Sequence, residues 1–315
     1  MNRITEQIRT IAERLLRENV VDRVVGFERG SLPLKVKPLF ARTPEEAQRL
    51  VWNGLCVMNP AALLGRTPGR TAVVAPGCVS RNLVELLQEH QVNREDLYVI
   101  GVPCPGQVDE KTLQELAPGP IEQFEDQGEV VVVSGRDFKE RIPRKEVLRR
   151  NCRICAHPNP VLFDELAGDP VAEPGERPED TELAEWEALP PEERWARFQD
   201  LIRDCIRCNA CRDACPLCYC SVCFVDEHRP QWCGKTGEEA DVATFHLLRA
   251  FHCAGRCTDC GACEAACPQG IQMRILTRKL EKDVRELYGT EAGMDLDRLQ
   301  PLCDFREEDP QEFIK

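Results

Sequence analysis

Eight of the nineteen cysteines in this 315-residue chain fall into two copies of one spacing, C-x2-C-x2-C-x3-C-P, at residues 205–216 and 257–268. Few spacings constrain a fold so tightly. Three thiolates two residues apart let one loop touch three corners of an iron-sulfur cube. The fourth Cys, carried on the helical turn that follows, points away and reaches the neighbouring cube. The spacing therefore predicts Cys205, Cys208, Cys211 and Cys267 around one 4Fe-4S cluster, and Cys257, Cys260, Cys263 and Cys215 around a second. A pair of zinc ribbons is the competing reading. Zinc takes four ligands per site and gives no reason for a fourth Cys followed by Pro in both copies, so a zinc-stapled scaffold is the weaker alternative.

The rest of the composition narrows the setting. Asp and Glu outnumber Lys and Arg 54 to 41, a formal charge of −13, and no basic block interrupts the chain. Nucleic acid and anionic membrane are therefore not expected partners. The opening MNRITEQIRTIAERLL reads as a charged amphipathic helix without the apolar core of a signal peptide. No run approaches the roughly 18 apolar residues that span a bilayer. Nineteen thiols then suit metal ligation in a reducing cytoplasm better than disulfides.

Residues 1–157 alternate helical and extended patterns. Ile4, Ile8, Ile11, Leu15 and Leu16 share a helical face, and VVDRVVGF at 20–27 and PLKVKPLF at 33–40 read as strands. Thr43-Pro44-Glu45-Glu46 is a capping box that opens a helix expected to reach about Asn53. TAVVA at 71–75, the loop PGC, a helix over about 80–90, LYVIGV at 97–102 and a helix opening at Asp109 repeat a strand–loop–helix rhythm. That rhythm predicts an α/β domain with a parallel or mixed sheet, and GEVVVVSG at 128–135 suggests an added hairpin. Residues 158–190, acidic and rich in Pro, read as a linker. Residues 191–288 read as a mostly α-helical domain carrying the two cysteine runs, and 289–315 as a C-terminal tail. The 41 residues from Pro216 to Arg256 separate the runs and include the helical stretch 240–252.

Cys78 and Cys104 each lie two or three residues beyond the carboxyl end of a predicted strand, the edge where open α/β sheets bind ligands. Cys152 and Cys155 form a later C-x2-C. The four either converge on one metal site, or comprise two buried structural cysteines plus a separate zinc or redox pair. Cys218, Cys220, Cys223, Cys233 and Cys253 crowd the connection between the runs and are expected to pack near the clusters. Cys56 and Cys303 stand alone. There is no P-loop, G-x-G-x-x-G, G-x-S-x-G or H-E-x-x-H, so no catalytic residue is assigned.

The stretch TAVVAPGCVSRNLVELLQEHQVNREDLYVIGVPCPGQVD, with the later NCRICAHPNPVLFDELAG, resembles the beta-subunit family of deazaflavin-dependent hydrogenases and dehydrogenases over about residues 15–170. The resemblance implies that Cys78, Cys104, Cys152 and Cys155 bind a third 4Fe-4S cluster, beside a flavin. The chain departs from the family in starting at MNRITEQ without the Gly-rich segment, and in lacking Ser-Lys-Tyr within WNGLCVMNP at 52–60. Both places bear on FAD binding. The family's ferredoxin part also commonly precedes the α/β part. The helical unit is similar to the dicluster ferredoxins of heterodisulfide reductase small subunits.

Together these features lead us to expect an iron-sulfur subunit that relays single electrons within a multi-subunit anaerobic oxidoreductase of hydrogenase, formate dehydrogenase or heterodisulfide-reductase type. Its expected partners are a flavoprotein of heterodisulfide-reductase type and a hydrogenase or dehydrogenase. The alternative is a flavin-containing beta subunit exchanging hydride with deazaflavin or NAD(P).

Overall fold

The computed structural model describes residues 2–64, 68–303 and 308. Helix α1 (Asn2–Arg17) buries Ile8, Ile11, Leu15 and Leu16 as its spacing predicts. Strands β1 (Arg23–Arg29), β2 (Val36–Ala41), β3 (Thr71–Ala75) and β4 (Leu97–Gly101) lie in one sheet with helices α2 (Pro44–Ala47), α3 (Gly77–Gln88) and α4 (Glu110–Leu116) between or after them. A separate antiparallel sheet follows, made of β5 (Gln123–Asp126), β6 (Val130–Ser134) and β7 (Lys139–Pro143), one strand more than the expected hairpin. Next come α5 (Arg150–Arg153), β8 (Glu165–Leu166), α6 (Thr181–Ala188), α7 (Pro191–Ile202), α8 (Ala210–Asp213), α9 (Glu239–His252), α10 (Ala262–Ala265) and α11 (Arg274–Tyr288). No described residue after Leu166 is in a strand.

The main sheet is mixed, in the order β2-β1-β3-β4-β8, with β1 and β2 antiparallel and the other pairs parallel. Successive strand side chains point to opposite faces, which separates two cores. Ala72, Val74 and Ile100 pack with α1, while Val73, Ala75 and Val99 pack with Val79, Leu83 and Leu86 of α3. Covered on both faces, β3 and β4 are the near-continuous apolar runs that parallel strands require.

Three expectations change. The capping box forms, with Thr43 Oγ1 accepting from Glu46 N at 3.3 Å and Glu46 from Arg42 N at 2.7 Å, yet α2 lasts one turn instead of reaching Asn53. Val51 N donates to Phe27 O at 2.8 Å and Trp52 N to Thr5 Oγ1 at 3.0 Å, so the chain leaves the helix to run along β1. Residues 158–190 are more than a linker: β8 extends the sheet, and α6 buries Leu183 and Trp186 against Phe198, Ile202 and Val242. The stretch after α11 returns to α3, where Arg81 donates twice to Ala292 O, at 2.9 and 2.7 Å, and Gln88 reaches Asp295 O at 2.8 Å.

A buried ion pair ties the second sheet to the loops above the first. Arg144 bonds Asp126 and donates to Gly106 O at 2.5 Å, and Asp126 Oδ2 accepts from Gly54 N at 2.6 Å.

On α3, Glu85 is buried beneath the returning segment, paired with the Gln300 amide, and burial pushes its carboxyl up to about 8. A folded-state pKa raised above the unfolded value favours folding fully below about pH 4.5 and loses that contribution as pH rises through 8. Glu85→Gln should therefore flatten the decline in stability between pH 5 and 8, and stabilise the protein at pH 8 by at least about 1.4 kcal/mol, the value of one pKa unit. Urea unfolding at the two pH values checks this; equal pH dependence in both proteins would refute it.

Candidate metal centres

At the carboxyl edge of the sheet the structure brings Cys78, Cys104, Cys152 and Cys155 to the wall of one cavity of about 780 Å³. Cys78 lies not in a loop but in the first turn of α3, where the positive end of the helix favours a thiolate. Gly77 makes that entry possible, because a β-carbon there would overlap the His157 carbonyl oxygen. Cys104, three residues past β4, is held by its N–H to Pro158 O at 2.9 Å. Gln107 N donates to Cys152 Sγ at 3.2 Å, and the N–H groups of Gly106 and His157 face the sulfurs of Cys104 and Cys155. Burial pushes the Cys104 thiol up to about 12 and Cys152 to about 11, and raises Cys78 and Cys155 as well. Metal ligation needs the thiolate, so a cationic occupant would displace protons here.

The two cysteine runs fold alike. Arg207 and Asn209 have φ of 53° and 61°, and Asp259 and Gly261, at the same offsets in the second run, have 53° and 73°. Left-handed backbone is costly for side chains other than glycine, and here it turns peptide N–H groups inward. Those of Arg207, Asp259 and Ala262 face the sulfurs of Cys205, Cys257 and Cys260. Cys267, of the second run, borders one cleft with Cys205 and Cys211 of the first, and Cys215 is near enough to Cys260 and Cys263 to interact electrostatically. Cys205, Cys208, Cys211 and Cys267 border one small cleft with His246, whose Nε2 lies 3.4 Å from Cys205 Sγ. Burial holds that imidazole down to about 4, so it is neutral at pH 7. Among the described residues no three His, Cys, Asp or Glu side chains could hold a single metal ion. The residues fit a cube in another way: four thiols line one cavity of the α/β part and four others one cleft of the helical part, with peptide N–H groups directed at sulfurs, the donor set that iron-sulfur clusters use.

The halves meet at these sites. Thr258 Oγ1 donates to Cys78 O at 3.1 Å and lies 3.0 Å from Asn82 Oδ1. Asn151 Nδ2 reaches Asp259 O at 3.3 Å and Cys260 O at 3.2 Å, and Arg149 donates to Gly261 O at 3.0 Å. The Cys78 and Cys260 sulfurs are close enough to interact electrostatically. None of these connecting residues was apparent from spacing, although Asn151 directly precedes Cys152. Of the extra cysteines, Cys218 and Cys253 contact Cys215, Cys233 and Cys56 are buried, and Cys220 and Cys303 are exposed.

The cavity is also lined by Trp52, Cys56, Val57, Met58, Asn59 and Pro60, the stretch that departs from the family pattern, and by Arg81, Arg177, Arg278 and Arg285. The buried Trp52 Nε1 has no hydrogen-bond partner.

No family model matches the chain. It is 24% identical over 351 aligned residues to the F420-dependent formate dehydrogenase subunit beta of Methanocaldococcus jannaschii, with 91% of each chain covered. It is 23% identical to the F420-dependent formate dehydrogenase 1 subunit beta of Methanococcus maripaludis, covering 89% of this chain and 88% of the relative. F420 is a deazaflavin, so these relatives agree with the resemblance read from residues 71–168. A chain of the F420-reducing NiFe hydrogenase complex of Methanosarcina barkeri is 17% identical, with a TM-score of 0.34 over 49% of this chain and 62% of that one, too low to carry an inference. No helix among the described residues is long and apolar enough to cross a membrane.

Proposed function

We propose that the chain is the iron-sulfur subunit of a multi-subunit oxidoreductase, relaying single electrons between a flavin- or deazaflavin-linked partner and a second redox subunit. Three 4Fe-4S clusters, held by the three thiol groups described above, would supply one-electron Fe(III)/Fe(II) exchange. The observation that carries this reading is adjacency. Cys78 of the first group is near enough to Cys260 of the second to interact electrostatically, and Cys267 borders the cleft of the third. The chain's own work is to deliver twelve sulfurs and direct peptide N–H groups at them, which favours the reduced state.

A second reading is favoured by the cavity. Its volume falls within the roughly 300–1,000 Å³ of small-molecule sites, more than four thiols need, and its Arg residues and orphaned indole N–H suit a flavin with phosphates. A chain that bound FAD there would exchange hydride with deazaflavin or NAD(P).

Anaerobic reconstitution tests both. About twelve irons and twelve sulfides per chain are expected, four per cube, with reduction by dithionite bleaching the visible spectrum. Eight of each would remove the α/β centre, and zinc in place of iron would sink the proposal. Oxidation of reduced deazaflavin or NAD(P)H by the loaded chain with FAD, at about 10 per second as ordinary enzymes work, would establish the second reading instead.

A further inference from the structure

Most buried cations of the helical half have carboxylate partners. Arg274 pairs with Asp259 and with Glu264 at 3.0 Å, and Arg278 with Asp180 and Glu182 at 3.2 and 2.8 Å. Arg249, on α9, differs. It is 6% exposed, Nη2 donates to Cys211 O at 2.9 Å, Nε has no partner, and no carboxylate among the described residues is paired with it. The groups whose negative charge it faces are thiols: Cys263 and Cys215 of one crossed set, Cys211 of the other, and the adjacent Cys253.

An uncompensated buried charge is strongly unfavourable, so a folded chain that keeps one must supply a counter-charge. A cube with four thiolates is a dianion when oxidised and a trianion when reduced. Building on the relay reading above, we infer that Arg249 is the shared counter-ion of the two crossed centres: its guanidinium lies between their thiol sets and raises both reduction potentials. It does so because a fixed positive charge stabilises the trianion more than the dianion. The same charge offsets repulsion when both centres are reduced at once. Three of the α/β thiols, Cys104, Cys152 and Cys155, face other cations, Arg81, Arg144, Arg149, Arg177 and Arg274, so their centre should not respond.

The test uses the full chain, loaded anaerobically, as native protein, Arg249→Gln and Arg249→Lys. Iron and sulfide are assayed, and potentials are read by titration followed with electron paramagnetic resonance. Arg249→Gln should load fully and lower both crossed centres by at least about 59 mV, tenfold in a one-electron equilibrium. Arg249→Lys should keep most of the native potentials, and the α/β centre should stay put in both. If Arg249→Gln loses its crossed clusters while Arg249→Lys keeps them, charge is still the requirement and the inference stands. Loss in both variants points to shape and overturns it. So do unchanged potentials in a fully loaded Arg249→Gln, or an equal shift at all three centres. A native chain that takes up no clusters would sink the relay reading itself.

Discussion

Cys267→Ser is expected to cut the iron of the reconstituted chain from about twelve to about eight, by emptying the site of the other run. Cys267 follows Cys257, Cys260 and Cys263 in sequence, yet its sulfur stands beside Cys205 and Cys211. The converse is expected of Cys215, which is near enough to Cys260 and Cys263 to interact electrostatically. Pairs of substitutions separate the assignments without any need to attribute individual signals. Cys205→Ser with Cys267→Ser should lose no more iron than either alone, because both act on one site. Cys257→Ser with Cys267→Ser should lose about eight irons, because they act on two. The reverse result would replace crossed ligation with two independent loops.

Arg144→Met should be the most destabilising single change outside the cysteines. The Arg144 and Asp126 side chains are almost wholly buried, and removing one partner of a buried pair strands the other charge at a cost of about 3–5 kcal/mol. Urea unfolding measures it, and a loss under about 1 kcal/mol would show that water or another group replaces Arg144. Since Arg144 also holds Gly106 O, and Asp126 holds Gly54 N, the loops on either side of the cavity should loosen together. Exchanging both partners for apolar residues of similar size, Arg144→Met with Asp126→Leu, should recover much of the loss.

Periodicity and spacing make much of the architecture legible in the order of the residues. Apolar runs at 71–75 and 97–101 are buried on both faces, α1 and α9 follow their helical stripes, and the two cysteine runs fold into matching loops. What spacing leaves out depends on contacts between residues distant in sequence. The Thr43 cap signals where α2 begins, but its end is decided by the bond from Val51 to Phe27, which no local pattern encodes. The acidic, Pro-rich composition of 158–190 is that of a linker, and only the free edge of β4 makes Glu165–Leu166 a strand. Arg249 resembles any helical arginine in a sequence. Its lack of an acidic partner among the described residues emerges only once α9 is seated against Cys211.

Gly261 and Asn209 occupy one position in a duplicated loop, with the same left-handed backbone. Asn209 shows that the loop itself tolerates a side chain. At Gly261 a β-carbon would come within 2.8 Å of the Asn151 side chain, on the α/β half. The glycine therefore serves the seam more than the turn. One copy of the loop is shaped to be a socket and the other, with Cys208 exposed, is left as a free end. The two copies thus differ in what covers them, one sealed against the chain's own sheet and the other presenting a thiol at the surface.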